Sequence, residues 1–407
     1  MFPPAAIRGL ALLLAAQAPS TLNLRTAVRE ALDHNPEVAQ SQAAVRAEAA
    51  QARGARAWPE PSISYQAWQQ PLAQPLDPTA TNMHMFGLRQ TLPFWGQRSG
   101  SGEAAEAGAR ATEADAASVR LRLQAQVAHG LVGYWLMREE LAAHEAHVTL
   151  GQKTLEAIKA RYVGGQGTQS DLLRAETELH RLHSSIEGLR QSIRGSAAYL
   201  NATMGRRPDA PLPPPEEPER VLPVGGGNTR PEVTAAEERA SQALASAALA
   251  NAARSLPEVM VGFDYMLMPQ MPDAYSVMVQ VPLPFLSGRR AAEGDRARAQ
   301  LEVAQFAKAV VENTARYEAE EARARAAAAS AELEVLEKLQ VPVAEHALES
   351  TRATYSAGQA DLVSLLDAQN VLLDTRLLLV RQRAALGDAI ADLRRALGLD
   401  LFQQEKP

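Results

Sequence analysis

Apolar residues recur at helical spacing along most of this chain and switch to strict alternation in a few short windows. Over 97–162 the positions Val119, Leu123, Val127, Leu131, Tyr134 and Leu141 fall mostly three and four apart, the period of one helix face. A helix of that length measures about 100 Å. The same period predicts helices over 22–34, 36–58, 168–204, 231–256, 289–355 and 361–397. Pro36 suits a first helical turn, and Pro59 and Pro61 stop the helix it opens. Residues 62–68 and 83–92 alternate instead, as do 258–268 and 275–283, and each couple flanks a loop and reads as a strand pair. The expected fold is mainly α with a small β part, built as two long helical hairpins, each carrying a strand pair.

The duplication is also written in the residues. Tyr162, Gly165, Gln166, Leu172, Leu173 and Ala175 have counterparts 193 positions on, in Tyr355, Gly358, Gln359, Leu365, Leu366 and Ala368. Both stretches lie between helices and read as tight turns. The glycine supplies the left-handed residue that ends one helix, and Thr168 or Asp361 caps the next. A second echo, Leu92-Pro93-Phe94 against Leu283-Pro284-Phe285, has nearly the same spacing. Residues 205–230 hold seven Pro and four Gly and read as a linker. The chain thus divides into a first repeat over 19–204, the linker, a second repeat over 231–400 and a tail over 401–407. Ahead of these, Arg8, the apolar run 9–16 and the small-x-small site Ala16-Gln17-Ala18 predict a secretory signal over 1–18.

Composition narrows the partners. Cysteine is absent, which removes disulfides and thiolate metal sites, and a net charge of −6 gives no footprint for nucleic acid. No run approaches the roughly 20 apolar residues of a membrane helix, so strands must do any crossing. Val259, Val261, Phe263, Tyr265 and Leu267 share one strand face, with Met260, Gly262, Asp264 and Met266 on the other. Windows 58–95 and 258–285 are about a sixth of the chain yet hold ten of its 19 aromatics, as membrane-interface belts do. Four strands cannot close a barrel when the smallest membrane barrels have about eight, so several copies must share one. A small soluble sheet with an ordinary core stays open as the alternative.

Catalytic chemistry is missing from the pattern. No nucleophile elbow, phosphate loop or metalloprotease helix occurs, and Gly164-Gly165-Gln166-Gly167 lacks the lysine of a phosphate site, so neither an enzyme nor a cofactor is expected. His144 with His147, and His180 with His183, stand three apart, a spacing that can share a metal, but both pairs sit among charges and read as solvated faces. Methionines gather at Met83, Met85, Met260, Met266, Met268, Met271 and Met278. Thioethers suit monovalent copper, and methionine is also an apolar strand filler; both readings stand.

The Asn35-Pro36-Glu37 opening, the Gln90-Thr91-Leu92-Pro93-Phe94 junction, the Tyr-x-x-Gly turns with their Leu-Leu-x-Ala continuations and the strand pairs within hairpins together resemble the TolC family of outer-membrane efflux proteins, over about 22–398. The resemblance implies a homotrimer with a twelve-stranded barrel in outer-membrane lipid and a trimeric α-barrel through the periplasm. It also implies an inner-membrane pump and a periplasmic adaptor that docks on the turns, here Tyr162, Gly165, Thr168, Gly358 and Gln359. In that family acidic residues on the return helix form rings at the periplasmic entrance. Asp367 falls on the more interior acidic position, and the other is Ser364, a departure that leaves one matched ring. Asp361 lies nearer the tip, and Tyr355 is placed to hydrogen-bond to a neighbouring helix in a closed state. Without the resemblance, Asp361 reads as a helix cap and Asp367 as a solvated face. Two other classes stay open: a periplasmic adaptor, which would set one hairpin in a β-rich module, and a soluble coiled-coil scaffold, which leaves the strand alternation unexplained.

Overall fold

The computed structural model describes residues 21–223, 230–269, 271–283 and 288–402. The signal segment 1–18, Pro284 and Phe285 of the second junction, and the last five residues of the tail lie outside them. The described chain is mainly helical, with one four-stranded sheet, and it resolves into two compact units. Each unit draws on both sequence repeats. One comprises the N-terminal residues to His34 with Gln124–Leu222 and Ala326–Ala391; the other comprises Asn35–Leu123, Pro223–Arg325 and the residues from Asp392 onward.

The sheet belongs to the second unit. Strands β1 (Ser62–Trp68), β2 (Met83–Leu92), β3 (Val259–Leu267) and β4 (Ala274–Gln280) lie in sequence order, all antiparallel. The two strand pairs are joined edge to edge, since β2 pairs with β3 from His84 opposite Leu267 to Leu92 opposite Val259. Because side chains alternate along a strand, this register gives the whole sheet two chemically distinct faces. One carries the exposed apolar residues Ile63, Tyr65, Phe86, Leu88, Phe263 and Val277. The other carries Ser64, Arg89, Asp264 and Ser276. On it Asp264 is buried, Arg89 reaches it at 3.3 Å, and both side chains lie over Gly87, where a Cβ would stand 2.4 Å from the Asp264 carboxylate. Glycine is the residue that lets the ion pair cross the strand there.

Helices of this unit include α2 (Pro36–Ala55), α5 (Pro231–Ala252) and α6 (Arg289–Val335) as far as Arg325, with the first part of α3 (Gln97–Val163). Asn35 caps α2 by accepting the Glu37 amide at 2.8 Å, and Pro36 takes the first helical position. The helix stops at Ala55, short of the two prolines. Pro231-Glu232 opens α5 in the same way, except that Arg230 stands in place of the asparagine and pairs with Glu232 and Glu318 instead of capping.

The first unit is a helical bundle of α1 (Leu24–His34), the remainder of α3, α4 (Gln169–Thr203), α7 (Val341–Ser356) and most of α8 (Leu362–Ala396). Its apolar clusters join elements distant in sequence: Val148 and Leu182 with Leu373 and Leu377, and Ala329 and Leu333 with Leu386 and Ile390. The described part of the Pro-rich linker is irregular but fastened, with Leu22 and Pro215 forming a single parallel bridge and Arg220 reaching Glu337 at 3.0 Å. One expectation is corrected. The helix predicted without a break over 289–355 is interrupted by a π-helical turn, Leu336–Gln340, ahead of Pro342. Proline has no N–H to give and crowds the carbonyl four residues back, so the preceding turn widens to accommodate it.

Candidate functional site

The two sequence-matched turns are built alike. At each, a glycine takes a left-handed backbone, with φ of 70° at Gly165 and 71° at Gly358. Gly165 N–H donates to the Tyr162 carbonyl at 3.0 Å and Gln166 N–H to that of Arg161 at 2.8 Å. Gly358 and Gln359 repeat the pattern on Tyr355 and Thr354 at 3.1 and 2.9 Å. These are paired Schellman closures, which satisfy the last carbonyls of α3 and α7 and need a residue without a Cβ penalty at positive φ. The same closure recurs at Gly205 and Gly398, again 193 apart, a third echo that sequence reading passed over.

The helices that follow are capped differently. Thr168 forms a reciprocal box with Asp171: its hydroxyl accepts the Asp171 amide at 3.1 Å and the Asp171 carboxylate accepts the Thr168 amide at 3.3 Å. Asp361 accepts both the amide and the hydroxyl of Ser364, at 2.9 and 2.7 Å. The Ser364 hydroxyl bond, then its amide bond, hold the Asp361 carboxyl below its usual range. Ser364, where the family pattern has an acid, is thus the partner of the cap.

Beneath the turns, Leu155 and Ile158 of α3, Ala175 of α4 and Leu362 of α8 form one buried cluster, with Tyr355 and Leu366 packed on its rim. Arg161 ties the two turns together, its guanidinium 4.8 Å over the Tyr355 ring and one N–H donated to the Tyr355 carbonyl at 3.2 Å. Tyr355 meets Arg161 through its ring face and its carbonyl. Buried Gln369 donates to the Thr154 hydroxyl at 2.8 Å, pinning α8 to α3. Sequence reading missed Arg161 and Gln369. Arg161 carries no repeat signal because its counterpart is Thr354, and Gln369 looks polar and therefore exposed.

On α8, Leu362, Leu365, Gln369 and Leu372 face inward, and Val363, Ser364, Asp367, Val371 and Asp374 are exposed. Asp367 makes no hydrogen bond or ion pair among the described residues, so no described cation sits against its carboxylate. Asp374, seven residues on, adds a second carboxylate to the same face. The turns and this face are parts of one compact unit.

The histidine pairs separate. His180 and His183 are exposed, but the expectation of a solvated face fails for the other pair: His147 is only 6% exposed and His144 is half-buried, with Nδ1 lacking a partner among the described residues. They face α4 and α8, where Glu178, Arg181, Asp374, Arg376 and a buried Glu140 held by Arg381 at 2.6 Å surround them. Burial lowers both imidazoles below the ordinary 6.5, with Glu140 opposing at His144 and Glu178 at His147. The unfolded chain therefore takes up these protons first. Stability is full above about pH 6.5 and is lost as pH falls towards the folded-state values. The melting temperature of the bundle is expected to drop between about pH 7.5 and pH 5, and His147→Leu is expected to flatten that slope; an unchanged slope would reject the assignment. No group of three His, Asp or Glu among the described residues is arranged to hold a metal ion.

Comparison with known proteins accords with this architecture. VceC, an outer membrane protein of Vibrio cholerae, is 22% identical with a TM-score of 0.78, over 93% of this chain and 97% of that one. CusC is 20% identical with a TM-score of 0.79, over 92% and 91%. The MtrE outer membrane channel of Neisseria gonorrhoeae, solved in an open state, is 19% identical with a TM-score of 0.78, over 92% and 88%. At these identities the likeness carries the fold. The fusaric acid resistance protein FusA of Burkholderia cepacia is 29% identical over 169 residues, 39% of this chain, and the match spans about a third of FusA, 32% of its length. The profile of the outer membrane efflux protein family, whose members are channels rather than enzymes, matches residues 27–206 and 228–399. The chain belongs to the outer membrane efflux protein family.

Proposed function

We propose that this efflux protein is the outer-membrane exit duct of a tripartite system, passing drugs, metal ions or other small solutes from the periplasm to the exterior. Three copies close a twelve-stranded barrel in lipid, and their helices form the periplasmic conduit. A periplasmic adaptor docks on the turns at Tyr162, Gly165, Thr168, Gly358 and Gln359 and couples the duct to an inner-membrane pump. The observation that carries this reading is the sheet: among the described residues β1 and β4 each have a partner on one side only, and one face is mainly apolar and largely exposed, with Ile63 at 85%. Unpaired strand edges cannot stand in hydrocarbon, and shared closure by several copies removes them. No described helix is long and apolar enough to cross a membrane, which leaves the strands to do so.

The gate is assigned to the α8 face, where Asp367 forms a three-fold ring of carboxylates that favours cations. Tyr355 and the Asp361–Ser364 cap set the angle at which α8 leaves the turn, and adaptor packing on the turns moves α8 outward. The test is planar-bilayer conductance of the detergent-purified chain, with oligomeric mass measured on the same preparation. Small cation-selective openings from a trimer are the expected result. A monodisperse species that needs no detergent and never conducts would overturn it.

A further inference from the structure

The sheet register separates methionine from the other large aliphatic residues. The exposed, mainly apolar face is made of Val, Ile, Leu, Phe and Tyr with Ala67, His84 and Gln90, and holds no methionine. Met83, Met85, Met260, Met266 and Met278 all lie on the opposite face, with Ser64, Gln66, Arg89, Asp264 and Ser276, and all five are half-buried where the apolar face is open. If methionine served here as apolar filler against lipid, it would sit among the valines and leucines. It sits instead on the polar wall, which in the exit-duct reading lines the lumen.

What a thioether adds to such a wall, and serine or glutamine does not, is a soft donor. Met85 and Met266 are direct partners across β2 and β3. Cβ atoms of such partners lie about 5 Å apart, which lets two flexible thioethers meet on one ion. Met83 stands two residues before Met85 on the same strand face, so three thioethers mark one patch at the loop end of the sheet. The nearest carboxylate on this face in register, Asp264, is held by Arg89, leaving the sulfurs as the donors. We propose that this patch is a site for soft monovalent cations, copper(I) or silver(I), on the wall of the lumen. Neutral thioethers bind such an ion without cancelling its charge, and with no cysteine in the chain no thiolate can trap it. Weak, reversible binding is what a conducting path requires.

The inference rests on the exit-duct reading for which face meets water, and its test separates the two. Silver nitrate is titrated into the detergent-purified full chain in chloride-free buffer, with bound silver measured at equilibrium by dialysis. The wild type is expected to retain silver. Met85→Leu and Met266→Leu, which keep volume and apolarity, are expected to weaken binding severalfold singly and at least tenfold together. Met137→Leu, on α3, is expected to bind as the wild type does. All these proteins share the same eight histidines, so the difference reports the thioethers. Equal silver binding by wild type and double variant, or none by either, overturns the site, and leaves the duct standing if the same trimer conducts. Silver held at these methionines by a chain that never conducts supports the site and overturns the duct.

Discussion

Replacing Asp367 by alanine is expected to raise resting conductance and to cut the preference for cations about fivefold. The carboxylate lies on the exposed face of α8, without an ion pair or hydrogen bond among the described residues, so no described cation caps it. A monovalent cation about 6 Å from three such groups gains roughly 2 kcal/mol at the dielectric of water, and physiological salt screens this to about 1 kcal/mol, a factor of about five. The residue packs against nothing that alanine would disturb, since the inward face of α8 is carried by Leu365, Gln369 and Leu372. Reversal potentials across a salt gradient measure the ratio directly. The change should shrink as ionic strength rises, and a reversal potential that does not move would remove Asp367 from the gate.

The second large effect is on stability. Ile158 is 1% exposed and sits where α3, α4 and α8 converge under the two turns, in contact with a cluster that includes Leu155, Ala175 and Leu362. Ile158→Ala removes buried methylene groups and leaves a cavity that three long helices cannot readily close, at a cost of about 2–5 kcal/mol, whereas Ile158→Val should cost about 1 kcal/mol. Hydrogen exchange is the appropriate measurement, because the loss falls on opening of the tip rather than on the whole chain. Amides in the first turns of α8 are expected to lose protection. The same variant should leak more current while keeping its cation preference, since Asp367 is untouched. A leak accompanied by lost selectivity would mean that the ring and the core beneath it are not separable.

The two substitutions also divide what was legible in the residues from what was not. The turns could be read because their chemistry is local: a left-handed glycine and a capping side chain act within five or six residues, and the pattern occurs twice. Asp367 is put forward through likeness to a family, and its exposure follows from helical period. Ile158 lay within a long helix whose apolar positions are many, and nothing along the chain singles it out as the point where three helices meet. His147 shows the reverse error. Its sequence neighbours are charged, yet α4 and α8 cover it, and coverage belongs to helices distant in the chain.

By itself, the order of residues determined the helical period outside the π-turn at Leu336–Gln340, the strand alternation, the duplicated turns and which residues share a strand face, because each depends on neighbours a few positions away. Tertiary structure alone decided that β2 of one repeat pairs with β3 of the other, that Met85 meets Met266, that Arg161 bridges to Tyr355, and that His147 is dry. Those contacts span about 30 to 200 positions. No local preference encodes them, and they form only when the whole set of helix and strand faces is buried together.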